Sequence, residues 1–322
     1  MIKVERNESP DSIQISQNGA PKSKGQKETE EAIYFYGIPA NQNKEFKKRK
    51  VRGSGYSKES YSAYKGKDVR KELTRIFHGK CAYCETRFVA ACPGDIEHFR
   101  PKGGYSLDGD LIKPGYYWLA ADWENLLLAC PHCNQTHTLE IFDGEGWVEK
   151  VVGKLNQFPL EDESKRLNNG SGQKYFMEEY LDLYEEEEEV RLLLKPCTDN
   201  VEDYFEYSKE GIILPKGDLE GIDLNKAKTS ICVYALQRSG LVKERGQKVI
   251  EINAQIERVI EYIEDLNDIG QNSRRYDIIK GRLEREMKRL KEFMRPDKEF
   301  AGLARHFIMK FIQSFDDNGQ ET

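Results

Sequence analysis

The chain has 322 residues, of which 33% are charged and 38% hydrophobic, and its formal net charge is -6 at pH 7. Single hydrophobic cores stop growing at about 250 to 300 residues, so this length predicts at least two structural units. No run of about 18 apolar residues is present, which excludes a hydrophobic membrane span, and the first residues lack the apolar core of a signal peptide. We therefore expect a cytoplasmic protein without a membrane partner.

The charge is unevenly distributed along the chain. Residues 1–80 carry 18 Lys and Arg against 10 Asp and Glu, whereas the remainder carries 32 against 46. Residues 1–30 are rich in polar side chains and poor in aromatic ones, which predicts a disordered polar tail. The basic run at residues 44–52 is compatible with phosphate binding and equally with a solvated arm.

Residues 68–78 place apolar side chains at helical spacing, so a short helix is expected to lead into Cys81. Four cysteines then form two Cys-x-x-Cys pairs, at Cys81, Cys84, Cys130 and Cys133. In a reducing compartment this spacing predicts one tetrahedral structural zinc ion rather than disulfides. The other cysteines, at positions 92, 197 and 232, are expected to be small buried side chains.

The segment between the two cysteine pairs carries the candidate chemistry. A neutral imidazole at His98 is a suitable general base for activating water near neutral pH. Glu97 offers a hard oxygen ligand to Mg²⁺, and Arg100 and Lys102 are candidate phosphate-binding residues. Because neighbouring strand residues point to opposite faces, Glu97 and His98 can share a site only where the strand ends or bends.

Two asparagines accompany the second cysteine pair. The side chain of Asn125 can fix a loop by bonding backbone groups in both directions, and Asn134 follows the second pair where a helix is expected to begin. From there, the amide oxygen of Asn134 could bind a metal ion shared with Glu97. The aromatic stretch at residues 116–123 is expected to pack in the core.

Helices are predicted for the last third of the chain. Apolar residues recur at steps of three and four over 249–266 and again over 276–294, which predicts an antiparallel helical hairpin, and Asp297 is predicted to cap a further helix. The hairpin can pack on its own domain or on a partner subunit. Five consecutive glutamates at 185–189 are expected to lie on a solvated face.

Together these motifs resemble the HNH nuclease family, also called the ββα-metal fold. The resemblance implies that His98, Asn125 and Asn134 are catalytic and that Asn134 and Glu97 hold Mg²⁺ or Mn²⁺. Two positions differ from the commonest pattern: Asn134 replaces a histidine, and His137 stands where a lysine often binds phosphate. His137 is therefore a third candidate substrate-binding residue.

Further segments look like the PtuB-type nuclease subunit of Septu and retron antiphage systems; they lie at residues 80–85, 96–102, 123–130, 158–160 and 192–197. This resemblance covers about residues 68–245. It implies a DNA-cleaving bacterial effector that assembles with an ABC/SMC-like ATPase. In some systems a retron reverse transcriptase and its RNA–DNA product are also present.

The sequence therefore predicts an α+β fold in three parts. Residues 1–30 form the tail, 31–160 an HNH nuclease domain with a four-cysteine zinc site, and 161–322 a mainly helical, partner-binding domain. Two other functions are compatible with the sequence. One is a catalytically silent zinc module that binds nucleic acid, and the other is a scaffold that regulates the ATPase.

Overall fold

The computed structural model describes residues 1–16, 20–50, 55–57, 59–269 and 273–318. Within them, strands pair as separate two-stranded antiparallel sheets, and helices dominate the second half. The predicted α+β class is confirmed.

The helices are α1 (Lys24–Tyr36), α2 (Lys67–Ile76), α3 (Pro131–Asn134), α4 (Asn169–Gln173), α5 (Glu179–Val190), α6 (Gly221–Val233), α7 (Ser239–Asp268), α8 (Arg274–Glu292) and α9 (Ala301–Asn318). The strands are β1 (Asp95–His98), β2 (Tyr105–Leu107), β3 (Asp110–Ile112), β4 (Leu126–Ala129), β5 (His137–Phe142), β6 (Trp147–Val152), β7 (Phe205–Tyr207) and β8 (Ile213–Pro215).

Strands β1 and β4 and helix α3 form the centre of the predicted HNH region. β1 pairs with β4 in antiparallel register, with Asp95 opposite Ala129 and His98 opposite Leu126. All four residues of β4 are buried, as expected for the uninterrupted apolar run that encodes it. β4 leads directly through Cys130 into α3, so the strand positions the second cysteine pair beside β1.

The helical region packs against the cysteine-containing turns. The ring of Tyr83, between the first two cysteines, stacks on that of Tyr234 with centroids 3.8 Å apart. The ammonium of Lys80 donates to the carbonyl of Lys298, just before α9. Buried residues of both regions belong to one hydrophobic cluster. The two predicted regions therefore share a core.

The N-terminal residues differ from the predicted disordered tail. Met1 and Ile13 are buried, and α1 begins at Lys24, where the Ser23 hydroxyl caps the helix by accepting from the Gln26 amide. The correction applies to residues 1–16 and 20–30, because 17–19 lie outside the described residues. Amino-acid composition does not predict that this segment is ordered, because its few apolar side chains pack against residues elsewhere in the chain.

The helical hairpin is confirmed. α7 packs on α8, where the Gln255 amide donates to Glu286, and residues 270–272 of the connection lie outside the described residues. The next helix, α9, begins at Ala301 instead of at the predicted cap Asp297, whose carboxylate pairs with Arg295. Among the described helices, none is long and apolar enough to cross a membrane.

Candidate active site and zinc centre

The four paired cysteines converge on one point. Their Sγ atoms all lie within 4.8 Å of one another, all four side chains are buried, and Cys84 Sγ is 3.7 Å from Cys130 Sγ. Thiolates placed about 2.3 Å from a shared tetrahedral ion are roughly 3.8 Å apart, so the cluster fits zinc.

A cation from the helical region contacts this cluster. Arg238, directly before α7, donates from Nη1 to Cys133 Sγ across 3.5 Å and also to the carbonyl of Ala235. Four thiolates around one Zn²⁺ carry a net negative charge, which the guanidinium partly offsets. Sequence spacing gave no signal for Arg238, because it lies more than one hundred residues after Cys133.

The remaining cysteines are less buried than predicted. Cys92 and Cys197 are half-buried, whereas Cys232 is exposed on α6. The expectation of a buried side chain is therefore wrong for Cys232. Its helix position faces solvent, which composition alone does not indicate.

Glu97 and His98 both reach the same cavity despite being neighbours in a strand. Each residue is 5% exposed, and both line a cavity of about 350 Å³. His98 is the last residue of β1, so the alternation of side chains ends there. Phe46, Tyr61 and Lys102 also line this cavity.

The hydrogen bonds of His98 define which ring nitrogen is basic. Nε2 lies 3.0 Å from the carbonyl oxygen of Ala120, so it must carry the proton and donate. Lys102 donates from Nζ to Nδ1 across 3.3 Å. Burial, followed by the positive charge of Lys102, holds the pKa of His98 well below its usual value. The imidazole is therefore neutral, with its lone pair on Nδ1.

Glu97 is paired with a lysine that the sequence analysis missed. Lys154, shortly after β6 and fully buried, places Nζ 2.6 Å from Glu97 Oε1 in an ion pair and donates to the carbonyl of His98. Burial raises the pKa of Glu97, and the Lys154 charge opposes that effect. The backbone amide of Lys154 donates to the Cys133 carbonyl, so this residue also ties β1 to the second cysteine pair.

Asn125 fixes the loop after β1, the role expected of its amide. Its Oδ1 accepts from the amide of Arg100 at 2.8 Å, and its Nδ2 donates to the carbonyls of Arg100 and Leu119. Both ends of the side chain are thus satisfied within the core. The contacts hold the turn that carries Lys102 and the segment that ends at Ala120 beside His98.

Asn134 contacts a different carboxylate from the predicted one. Its Nδ2 donates to Asp95 Oδ2 across 2.9 Å, and Asp95 lies two residues before Glu97, on the same face of β1. Among the described His, Cys, Asp and Glu side chains, the four cysteines form the only group of three or more close enough to bind one metal ion. A divalent ion shared by Glu97 and Asn134 therefore stays a prediction.

The structure corrects the role of Arg100 and leaves those of Lys102 and His137 open. The guanidinium of Arg100 is buried and donates to Glu187 and Glu188 of α5, so it is not available to a phosphate. Lys102 lines the cavity beside His98. His137 begins β5, where its ring lies 5.2 Å from that of His132.

Comparison with known proteins agrees with this geometry. Residues 81–140, which span both cysteine pairs, β1, β4 and α3, match the HNH endonuclease family. This region is similar to an HNH endonuclease domain. The resemblance to HNH nucleases inferred from the sequence is confirmed.

The HNH domain lies in a chain that resembles Septu proteins. It is 35% identical to Septu protein PtuB of Bacillus mycoides (strain KBAB4) over 208 residues, which are 64% of this chain and 59% of that protein. It is also 27% identical to Septu protein PtuA of the same strain over 187 residues, which are 58% of this chain and 21% of that protein. The chain thus covers less than two thirds of either relative.

Proposed function

We propose that this chain is a metal-dependent HNH endonuclease that hydrolyses DNA phosphodiester bonds. The observation that carries the proposal is the state of His98. Its Nε2 is held by the Ala120 carbonyl, its unprotonated Nδ1 accepts from Lys102, and the residue lines a cavity together with Glu97. A neutral imidazole with one fixed nitrogen is the arrangement that general-base catalysis requires.

In this proposal, Lys102 first turns its ammonium from Nδ1 towards a phosphate oxygen, which is within the reach of a flexible lysine. His98 Nδ1 then takes a proton from water, and the oxygen of that water forms a bond to phosphorus while the bond to the 3′ oxygen breaks. The departing 3′ oxygen takes a proton from solvent. Asn125 acts indirectly, by holding the loop from which Lys102 extends.

Side chains around β1 carry oxygen atoms of the type that a hard divalent cation prefers. Carboxylates at Asp95 and Glu97, together with the amide oxygen of Asn134, are the ligand types that Mg²⁺ and Mn²⁺ prefer. Such an ion would stabilise negative charge on the scissile phosphate and the departing oxygen. Lys154 would then have to release Glu97. Zinc at the four cysteines is proposed to be structural.

We further propose that the chain is the effector subunit of an antiphage defence system and acts with an ABC/SMC-like ATPase. The resemblance to PtuB and PtuA supports this context. Large apolar side chains exposed on the C-terminal helices, among them Ile250, Ile278 and Met287, suit a partner-binding role for residues 161–322. A retron reverse transcriptase and its RNA–DNA product stay a prediction from the sequence. A reduced cluster of four cysteines fits the proposed cytoplasmic location.

The test is cleavage of plasmid DNA, linear duplex, single-stranded DNA and RNA with Mg²⁺ or Mn²⁺, with and without the co-purified partner. We expect DNA cleavage by the wild type and a loss of about 10²-fold or more in His98→Ala at equal zinc content. His78→Asn is the matched control, because His78 is exposed and its positive φ of 53° suits asparagine. Equal cleavage by His98→Ala and wild type would rule the proposal out.

The burial of both His98 and Glu97 favours one alternative, a catalytically silent zinc module that binds nucleic acid. It predicts nucleic-acid binding that tolerates His98→Ala and no divalent-dependent nicking under any condition. A scaffold that regulates the ATPase predicts instead that Ile250→Asp, on the exposed face of α7, abolishes complex formation.

A further inference from the structure

We propose that residues 59–66, the strap, are a lid that keeps nucleic acid away from His98 until the strap moves. The inference rests on the proposed function of the HNH site, since a lid matters only where a substrate must enter. The strap runs directly into α2 and contains a short 3-10 turn at Ala63–Lys65. This turn places an aromatic side chain over the catalytic imidazole.

Tyr64 is the covering residue. The centroid of its ring lies 4.5 Å from that of His98, with the planes at 77°, and the Lys102 ammonium lies 4.8 Å from the same ring. His98 is 5% exposed, and the Tyr64 ring is one of the groups that pack against it. A phosphodiester that approaches Nδ1 from the Tyr64 side meets this ring first.

The strap also borders the cavity that His98 and Lys102 line, through Ser60 and Tyr61. His98 Nδ1 accepts from the Lys102 ammonium, and the Tyr64 ring packs against the imidazole beside it. Both contacts must change before a phosphate and its attacking water can lie next to Nδ1.

One buried carboxylate holds the strap closed. Glu28 on α1 is 3% exposed, and its carboxylate accepts from the backbone amides of Ser62 and Ala63 at 2.9 and 3.1 Å. The same carboxylate pairs with Lys48 Nζ at 2.8 Å. Through these three partners Glu28 holds the strap against α1. We call Glu28 the latch of the strap.

The test measures access to His98 without requiring catalysis. Zinc-loaded full-length protein is treated with diethyl pyrocarbonate, and the modification of each histidine is followed by peptide mass spectrometry. Tyr64→Ala removes the covering ring and Glu28→Gln weakens the latch. Tyr64→Phe keeps the ring, and Glu30→Gln removes one charge from the exposed ion pair between Glu30, on the same helix as Glu28, and Lys22. Exposed His78 is the internal reference.

Two-state elements typically populate their minor state at roughly 0.1–10%, so opening the strap is expected to speed the modification of His98 by roughly tenfold or more. We expect the faster modification of His98 in Tyr64→Ala and Glu28→Gln. The controls Tyr64→Phe and Glu30→Gln are expected to react at the wild-type rate. The lid is refuted if His98 of the wild type reacts as fast as His78, or if neither opening variant reacts faster. If Tyr64→Ala loses zinc or helical content, the modification rate of His98 in Glu28→Gln is the result that tests the lid.

A cleavage assay separates the lid from the function of the site. Glu28→Gln is expected to cut DNA faster than wild type and Glu30→Gln in the absence of partner. If His98 becomes reactive in both opening variants but no variant cuts DNA, the strap covers His98 as proposed and the nuclease function is the part that fails. Faster cleavage together with higher reactivity supports both.

Discussion

Arg100 Nε donates to Glu187 Oε1 across 2.7 Å, and both side chains are buried. The other carboxylate oxygen of Glu187 accepts from the Tyr116 hydroxyl and from the amide of Leu167. Arg100 follows His98 by two residues, and Glu187 lies on α5, so this pair fastens the strand that carries the proposed base to the region after residue 160. Because the pair is buried, removing either side chain would leave the other charge in the core without a counter-charge.

Removing Glu187 is therefore expected to destabilise the whole chain. Glu187→Ala leaves the Arg100 guanidinium without its closest buried counter-charge, and breaking one side of a buried pair typically costs about 3–5 kcal/mol. The free energy of unfolding of zinc-loaded protein in urea is the measurement. Glu185→Ala, on the exposed side of the same helix, is the control. Equal unfolding free energies for the two variants would contradict the role of the pair.

The neighbouring glutamate gives a pH-dependent stability. Burial alone would raise the pKa of Glu188, but Arg100 and Arg191 outweigh it and hold the pKa at about 2, against an ordinary 4.5. A depressed carboxyl pKa contributes stability that is present above the unfolded value and is lost as the pH falls through the folded value. We expect stability to decline between pH 4.5 and 2, and Glu188→Gln to flatten that decline while lowering stability at pH 7. Urea unfolding across this range tests it, and an unchanged slope in the variant would argue against the assignment.

Asn125 is expected to act through backbone positioning. Asn125→Asp keeps an acceptor for the Arg100 amide but removes both donors, so the carbonyls of Arg100 and Leu119 lose their partner. A buried group left unsatisfied costs about 1–3 kcal/mol. Urea unfolding should show this loss, and amide hydrogen exchange should quicken around Arg100. Asn156→Asp, at a residue that lines the cavity, serves as the control. Unchanged exchange around Arg100 would show that the loop does not depend on Asn125.

Loss of one zinc ligand should unfold the site. Binding of zinc to small Cys-rich modules is worth on the order of 10–16 kcal/mol, which is comparable to the stability of a domain. Cys130→Ser is therefore expected to lose both bound zinc and the cooperative unfolding transition, whereas Cys232→Ser, at an exposed position, keeps both. Elemental analysis and circular dichroism are the readouts. A Cys130→Ser protein that retains zinc at one ion per chain would contradict the proposed ligand set.

Local patterns predicted the elements that depend on nearby residues. The spacing of the cysteine pairs indicated the cluster, and helical periodicity indicated α2 and the α7–α8 hairpin. Each of these follows from residues that are close in sequence or from one strict spacing. The burial of the aromatic stretch at Tyr117–Leu119 was likewise predicted from the local sequence.

Contacts between distant residues were missed. The glutamate run looked like a solvated face, yet Glu187 is buried because Arg100, eighty-seven residues earlier, pairs with it. Likewise, Lys154 had no local signal as the partner of Glu97, and Met1 docks in a core built by later residues. Charge partners and docking surfaces of this kind are set by tertiary structure, which single-sequence patterns do not encode.

The central claim is that His98 is the base of a phosphodiester hydrolase built on a zinc-stabilised HNH core. The most direct measurement is single-turnover cleavage of plasmid DNA by wild type and His98→Ala, purified with their partner, at matched zinc content and with added Mg²⁺ or Mn²⁺. We predict divalent-dependent cleavage by the wild type and a loss of about 10²-fold or more in a His98→Ala protein that retains its zinc and its circular dichroism spectrum. Cleavage by His98→Ala at the wild-type rate would contradict it.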